Sequence, residues 1–279
     1  MRVDAHQHFW IYNPPEYEWV DGSMEAIRRD FLPGDLEPEL QRNDFHGSIA
    51  VQTRQTLEET RWLLQLAQRT PKILGVVGWV DLCSVNVRSQ LDEFMRNPKL
   101  VGIRHIVQSE PDDRFLLRED FLRGVSLLAE FDLAYDILIY TKQLPVAAEF
   151  VEGFPKHRFV LDHLAKPPIK SHEIGSWAVG IQRLAAFPNV FCKLSGLVTE
   201  ADWHGWKPED ITPYLNVAFE SFGTSRLMIG SDWPVCLVAS SYARTMDVVK
   251  DYLRNQTPAT RDAVLGGNAQ RFWRLTPQA

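Results

Sequence analysis

The sequence is short of several things, and each shortage removes a class of function. No run of eighteen apolar residues occurs in its 279 positions, so nothing in it reads as a membrane span. The three cysteines, Cys83, Cys192 and Cys236, form no Cys-x-x-Cys pair and are odd in number, which supports neither a zinc knuckle nor a disulfide framework. Lysine and arginine number 30 against 36 acidic residues and are dispersed, and the net charge of −6 makes nucleic acid an unexpected partner. There is no Gly-x-Ser-x-Gly elbow to carry a serine nucleophile. No internal repeat, low-complexity tract or linker interrupts the chain, so one domain over 1–279 is expected. The first residues run into an apolar strand with no basic-then-apolar leader, and the expected location is the cytosol.

What is present is a regular alternation. Short runs rich in β-branched residues predict strands over Val3–His6, Gly47–Gln52, Ile73–Val80, Val101–Val107, Ala134–Tyr140, Phe159–His163, Val190–Leu194 and Leu227–Gly230. Between them, apolar residues at three and four spacing predict helices over Leu57–Gln68, Val85–Met95, Phe121–Glu130, Leu144–Val151, Ile174–Ala186, Pro213–Phe222 and Tyr242–Leu253. Eight strands separated by helices imply an α/β fold, a single-domain (β/α)8 TIM barrel with its active site at the C-terminal mouth. The segment 14–36, rich in aromatic and turn residues, interrupts the first connection and is expected to fold over that mouth as a lid or rim.

Polar residues recur where the strands end. Side chains two apart on a strand share a face, so His6 and His8 of Val3-Asp4-Ala5-His6-Gln7-His8 point together toward one ligand or ion. Gln52 and Arg54 follow the second strand, and Trp79 with Asp81 the third. Arg104 and His105 lie on the fourth, Tyr140 ends the fifth, Asp162 and His163 the sixth, Lys193 and Ser195 the seventh, and Asp232 follows the eighth. Barrel interiors are apolar, so polar groups collected at one end of many strands indicate a site. By the same alternation Asp162, next to His163, is expected to point away toward the helices.

Landmarks spread from the first strand to the last resemble the amidohydrolase superfamily: Ala5-His6-Gln7-His8-Phe9-Trp10, Gly102-Ile103-Arg104-His105, Leu161-Asp162-His163, Cys192-Lys193-Leu194-Ser195-Gly196-Leu197 and Gly230-Ser231-Asp232-Trp233-Pro234. They are most similar to its sugar-lactonase branch, the L-fuconolactonase-like enzymes. The resemblance implies a catalytic set of His6, His8, His163 and Asp232, which either holds one divalent cation such as Zn²⁺ or works with none. Members that hold two metals supply a lysine on the fourth strand and a histidine on the fifth. Here Arg104 with His105 and Tyr140 stand there, which argues against a two-metal hydrolase.

The chemistry of opening a lactone needs a base for water, a donor for the oxyanion and help for the departing ring oxygen. Asp232 is the candidate base. His6, His8 and His163 would polarise the carbonyl, and Arg104 and His105 would donate to the oxyanion or to substrate oxygens. Tryptophans near the mouth (Trp79, Trp203, Trp206, Trp233) and Trp10, Tyr12, Tyr17 and Trp19 of the first connection suit the C–H face of a sugar ring. Gln52, Arg54, Lys193 and Ser195 suit its hydroxyls, and His204 lies in the tryptophan-bearing loop after the seventh strand. The expected partner is therefore a small-molecule sugar lactone. A lactonase for 2-pyrone-4,6-dicarboxylate, a metal-dependent decarboxylase and a barrel that only binds are the alternatives, and the intact Asp232 speaks against the last.

Overall fold

The two hydrophobic periods build two kinds of element around one axis. In the computed structural model, which describes residues 1–275, the strands are β1 Val3–Gln7, β2 Gly47–Val51, β3 Ile73–Gly78, β4 Leu100–Ile106, β5 Ala134–Leu138, β6 Phe159–Leu161, β7 Val190–Leu194 and β8 Leu227–Ile229. They pair in parallel in chain order. β1 and the residues after β8 meet at the mouth, where the Asp232 N–H donates to the His6 carbonyl at 2.8 Å and the His8 N–H to the Trp233 carbonyl at 2.7 Å. The helices are α1 Pro33–Arg42, α2 Leu57–Arg69, α3 Val87–Phe94, α4 Glu119–Leu128, α5 Leu144–Glu152, α6 Gly175–Ala185, α7 Pro208–Phe222, α8 Tyr242–Tyr252, α9 Pro258–Asp262 and α10 Asn268–Trp273. This is the (β/α)8 TIM barrel that the alternation predicts. Among the described residues no helix is long and apolar enough to cross a membrane.

The barrel is filled, not hollow. Val3, Ile49, Val77, Ala134, Val160 and Met228 meet inside it and pack on Phe272 and Trp273 of α10. That helix lies at the end where the strands begin, with Gln270 donating to the Met1 carbonyl at 2.7 Å. Burial of such side chains contributes about 1.5–3 kcal/mol each, which rigidifies the floor on which the mouth is built.

β1 carries an irregularity that matters for the mouth. Its register against β2 runs Val3 to Gly47 and Asp4 to Ser48, then Gln7 to Ala50, so β1 has one residue more than its partner. Such a bulge resets which face each later side chain takes. Val3 and Ala5 belong to the interior layer. Beyond the bulge His6 and His8 also turn inward, while Asp4 accepts from Ser231 (2.7 Å) and Tyr242 (3.1 Å), and Gln7 donates to Ser48 (3.1 Å).

Several boundaries differ from the sequence pattern. α1 escapes it because Pro33, Gly34 and Pro38 read as a turn, although Pro33 occupies the first helical position, where proline does no harm. α7 begins at Pro208, five residues before the Pro213 that resembles a start. β3, β5 and β6 stop short of Val80, Tyr140 and His163, which leave the ladder to form the mouth. Within 14–36, two short 3₁₀ turns, Pro14–Glu16 and Gly22–Ile27, precede α1. The segment is pinned by a bridge between Trp10 and Phe31 and by the Trp10 indole donating to the Arg29 carbonyl at 2.8 Å.

Candidate active site

The floor of the mouth is assembled from the ends of β1, β4, β6, β7 and β8. His8 Nδ1 lies 2.8 Å from the Val51 carbonyl. A carbonyl only accepts, so Nδ1 carries the proton and Nε2 presents its lone pair. That Nε2 is 3.2 Å from His6 Nε2 and 3.2 Å from Asp232 Oδ1, and His6 Nε2 is 3.8 Å from the same oxygen. Three electron-rich atoms this close need a proton or a cation among them. A point equidistant from all three lies about 2 Å from each, which is the length of a zinc bond to imidazole or carboxylate. His163 Nε2, 3.9 Å from Asp232 Oδ1, offers a fourth donor. These residues therefore fit one divalent cation.

His163 reaches the floor by leaving the strand geometry. His163, Leu164, Ala165 and Lys166 all have left-handed backbones, with φ of 51°, 50°, 57° and 52°. Such a run is costly for residues with a Cβ and occurs where a loop is fixed by its surroundings. His163 Nδ1 meets Ser195 Oγ at 2.9 Å, and its ring lies edge-on to His6 with centroids 4.4 Å apart. Gly196 (φ +64°) must be glycine here, since a Cβ would come within 2.7 Å of that ring.

A charged layer lies beneath. Lys193 Nζ is 3.0 Å from His6 Nδ1 and 2.8 Å from Asp162 Oδ1, and it also pairs with Asp136. Arg104 donates to Asp162 Oδ2 at 2.9 Å and to the Gln52 side-chain oxygen at 2.9 Å, with one nitrogen 3.4 Å from His6 Nε2. Lys193, Asp136, Asp162 and Gln52 are fully buried and Arg104 nearly so. Two cations thus balance two carboxylates out of water, the one arrangement in which such burial is tolerable.

This layer sets the protonation of the floor. Burial, then Lys193, press the His6 imidazole well below its ordinary value, so it is neutral near pH 7. Burial lowers His163 to about 4. Burial alone would raise Asp232, but His163, His8 and His6 outweigh it and hold the carboxyl below the usual range. Asp162 behaves likewise, with Lys193, His6 and Arg104 overcoming burial, whereas Asp136 is pushed up to about 7 by burial against the opposing Lys193. The site thus offers an ionised carboxylate facing the neutral imidazoles of His6 and His163.

Above the floor opens a cavity of about 370 Å³ that reaches His8, Arg104, His163 and Asp232. Trp19, Met24, Tyr140, Trp203 and Val238 give it apolar walls, and Thr53, Gln108, Lys166 and Glu200 give polar ones. Trp19 and Met24 come from segment 14–36.

The sequence-derived set divides on this geometry. His6, His8, His163, Asp232 and Arg104 converge. Gln52, Lys193 and Ser195 stand behind them, touching Arg104, His6 and His163 respectively. Asp162, expected to face the helices, instead lies inside against Lys193 and Arg104, because Leu161 faces the helix layer and Asp162 takes the next, inward position.

His105, Trp79, Arg54, Trp233 and His204 neither line the cavity nor stand behind its floor. His105 alternates with the inward Arg104 and faces the helices, stacked on Phe115 at 4.7 Å and bonded to Glu110 at 2.7 Å. Trp79 goes with it, donating to His105 Nδ1 at 3.4 Å. Arg54 is drawn to Glu16 (2.5 Å) and Glu59 (2.9 Å). Trp233 packs edge-on against Phe31, with centroids 5.2 Å apart, under the first connection. His204 is exposed, and its neighbour Trp203 faces the cavity instead. Conversely, Gln108, Lys166 and Glu200 escaped the sequence reading. For Lys166 a signal existed, three residues after His163.

Comparison with known proteins gives the same frame. The amidohydrolase family model matches residues 3–275. An L-fucono-1,5-lactonase of Burkholderia multivorans is 41% identical over 290 aligned residues, covering 100% of this chain and 98% of its own. One of Burkholderia ambifaria is 40% identical, covering 99% and 96%. A crystal structure of a Burkholderia multivorans amidohydrolase with bound zinc superposes with a TM-score of 0.96 at 40% identity, covering 99% of this chain and 100% of that one.

Proposed function

The chain belongs to the amidohydrolase family, and on that premise we propose that it is a lactone hydrolase that opens a neutral sugar lactone, of the L-fucono-1,5-lactone kind, to the aldonic acid. The observation that carries the reading is the ionised Asp232 facing His6, His8 and His163 on the floor of a cavity walled by tryptophan and tyrosine. The full-length likeness to two L-fucono-1,5-lactonases supports it. The whole chain acts as one domain, with 14–36 as the rim over the bound lactone.

Asp232 takes a proton from water, and the water oxygen forms a bond to the lactone carbonyl carbon. The carbonyl π electrons move onto oxygen, where the Arg104 N–H groups supply the compensating donors. The tetrahedral centre then collapses, the ring C–O bond breaks, and the proton held by Asp232 returns to the departing ring oxygen. Ser195 and the Val51 carbonyl fix the two imidazole planes through these steps. His6, His8 and Asp232 would hold a divalent cation, which would supply Lewis acidity toward the carbonyl; the Burkholderia multivorans amidohydrolase structure contains bound zinc.

The electrostatics favour a neutral ring. The two basic residues on the cavity wall are already matched, Arg104 by Asp162 and Lys166 by Glu200. A dicarboxylate would bring two charges with no unmatched cation to meet them, an expensive desolvation. The test is kcat/KM for L-fucono-1,5-lactone against L-rhamnono-lactone, D-galactono-lactone and 2-pyrone-4,6-dicarboxylate. The expected result is at least tenfold preference for L-fucono-1,5-lactone over the dicarboxylate. A tenfold preference for the dicarboxylate overturns the sugar assignment.

A further inference from the structure

We propose that Lys166 and Glu200, on neighbouring loops of the cavity wall, form a hydroxyl-reading pair that makes the enzyme selective for lactones bearing a hydroxyl group between them. The inference deepens the lactonase reading and rests on it.

Lys166 Nζ and Glu200 Oε1 are 3.9 Å apart, too far for a direct hydrogen bond. An oxygen about 2.8 Å from each fits between them. A hydroxyl is the one sugar group that donates and accepts at once, so it can give its proton to the carboxylate while accepting from the ammonium. Both side chains line the cavity, each only about a fifth to a quarter exposed. Among the described residues neither makes a hydrogen bond through its side chain to another residue. Gln108, on the same wall, has a buried side-chain oxygen that is also without a partner.

The two groups are held, not left to wander. Lys166 closes the left-handed run that also carries His163, and its ammonium lies 5.3 Å from the centre of the Tyr140 ring. The Glu200 carbonyl accepts from the Lys170 N–H at 3.0 Å, tying the loop after β7 to the loop after β6. A pair fixed at this spacing discriminates strongly, because a ligand lacking the hydroxyl leaves two charged groups desolvated and unbridged.

The experiment compares L-fucono-1,5-lactone with δ-valerolactone, which has no hydroxyl, in the wild-type enzyme and in Glu200→Gln, Lys166→Met and the double variant. The ratio of the two kcat/KM values is expected to fall about tenfold to a hundredfold in each single variant. The double variant should fall little further than the worse single one, since both read one group. Mono-deoxy L-fuconolactones then identify the hydroxyl, as the analogue on which Glu200→Gln has no additional effect. A ratio within about twofold of wild type in both single variants overturns the inference while leaving the lactonase reading intact. A wild-type enzyme that opens no lactone at all overturns that reading and this inference with it.

Discussion

His6 is neutral because burial and Lys193 oppose its charge, and Asp232 is ionised because three imidazoles face it. A buried titratable group far from the mouth obeys the same rule. His157 is buried, its Nε2 has no partner, and its ring lies 4.8 Å from that of Phe159. Burial, then Arg158, lower it to about 4. A histidine depressed in the folded state contributes stability that is complete above its unfolded value near 6.5 and is lost as pH falls toward 4. At pH 5 the loss from this one group amounts to about 2 kcal/mol. Urea unfolding at pH 8 and pH 5 should show that His157→Phe narrows the stability difference between the two by about that amount. An unchanged difference would mean that His157 takes up its proton without opposition from the fold.

At the scale of elements, the mouth depends on how each strand ends and on what the first connection lays over it. Trp19 and Met24 of that connection line the cavity. Trp19→Ala should raise KM for a sugar lactone about tenfold, from the lost apolar wall, with kcat within a few-fold; steady-state kinetics reads both. A fall in kcat with KM unchanged would assign the segment to the chemistry instead. Strand ends also decide what the sequence could reveal. Eight apolar runs with helical spacers made the barrel legible, and His-x-His with two strand-terminal motifs marked the floor. Alternation alone could not place the rest, since it carries no record of where a ladder stops. Arg104 and His105 look equivalent as a pair, yet parity sends only Arg104 inward. Asp162 and His163 should oppose each other, yet a left-handed turn brings both to the floor. Lys166 and Glu200 lie in loops, where no period exists to read.

Across the whole molecule, an apolar barrel interior supports a charge-balanced layer, and that layer holds the carboxylate and imidazoles at the base of the cavity. The fold thus keeps the Asp232 carboxyl ionised in a largely buried position, the state that the proposed general-base role requires at neutral pH. The most direct test is acid release from L-fucono-1,5-lactone, followed with a pH indicator, by the wild-type protein and by Asp232→Asn with and without chelator. A general-base role for Asp232 requires rapid hydrolysis by wild type and a kcat lower by about 10² to 10⁴ in a variant whose circular dichroism is unchanged. No acid release above background by wild type, or more than about a tenth of its kcat retained by Asp232→Asn, would contradict it.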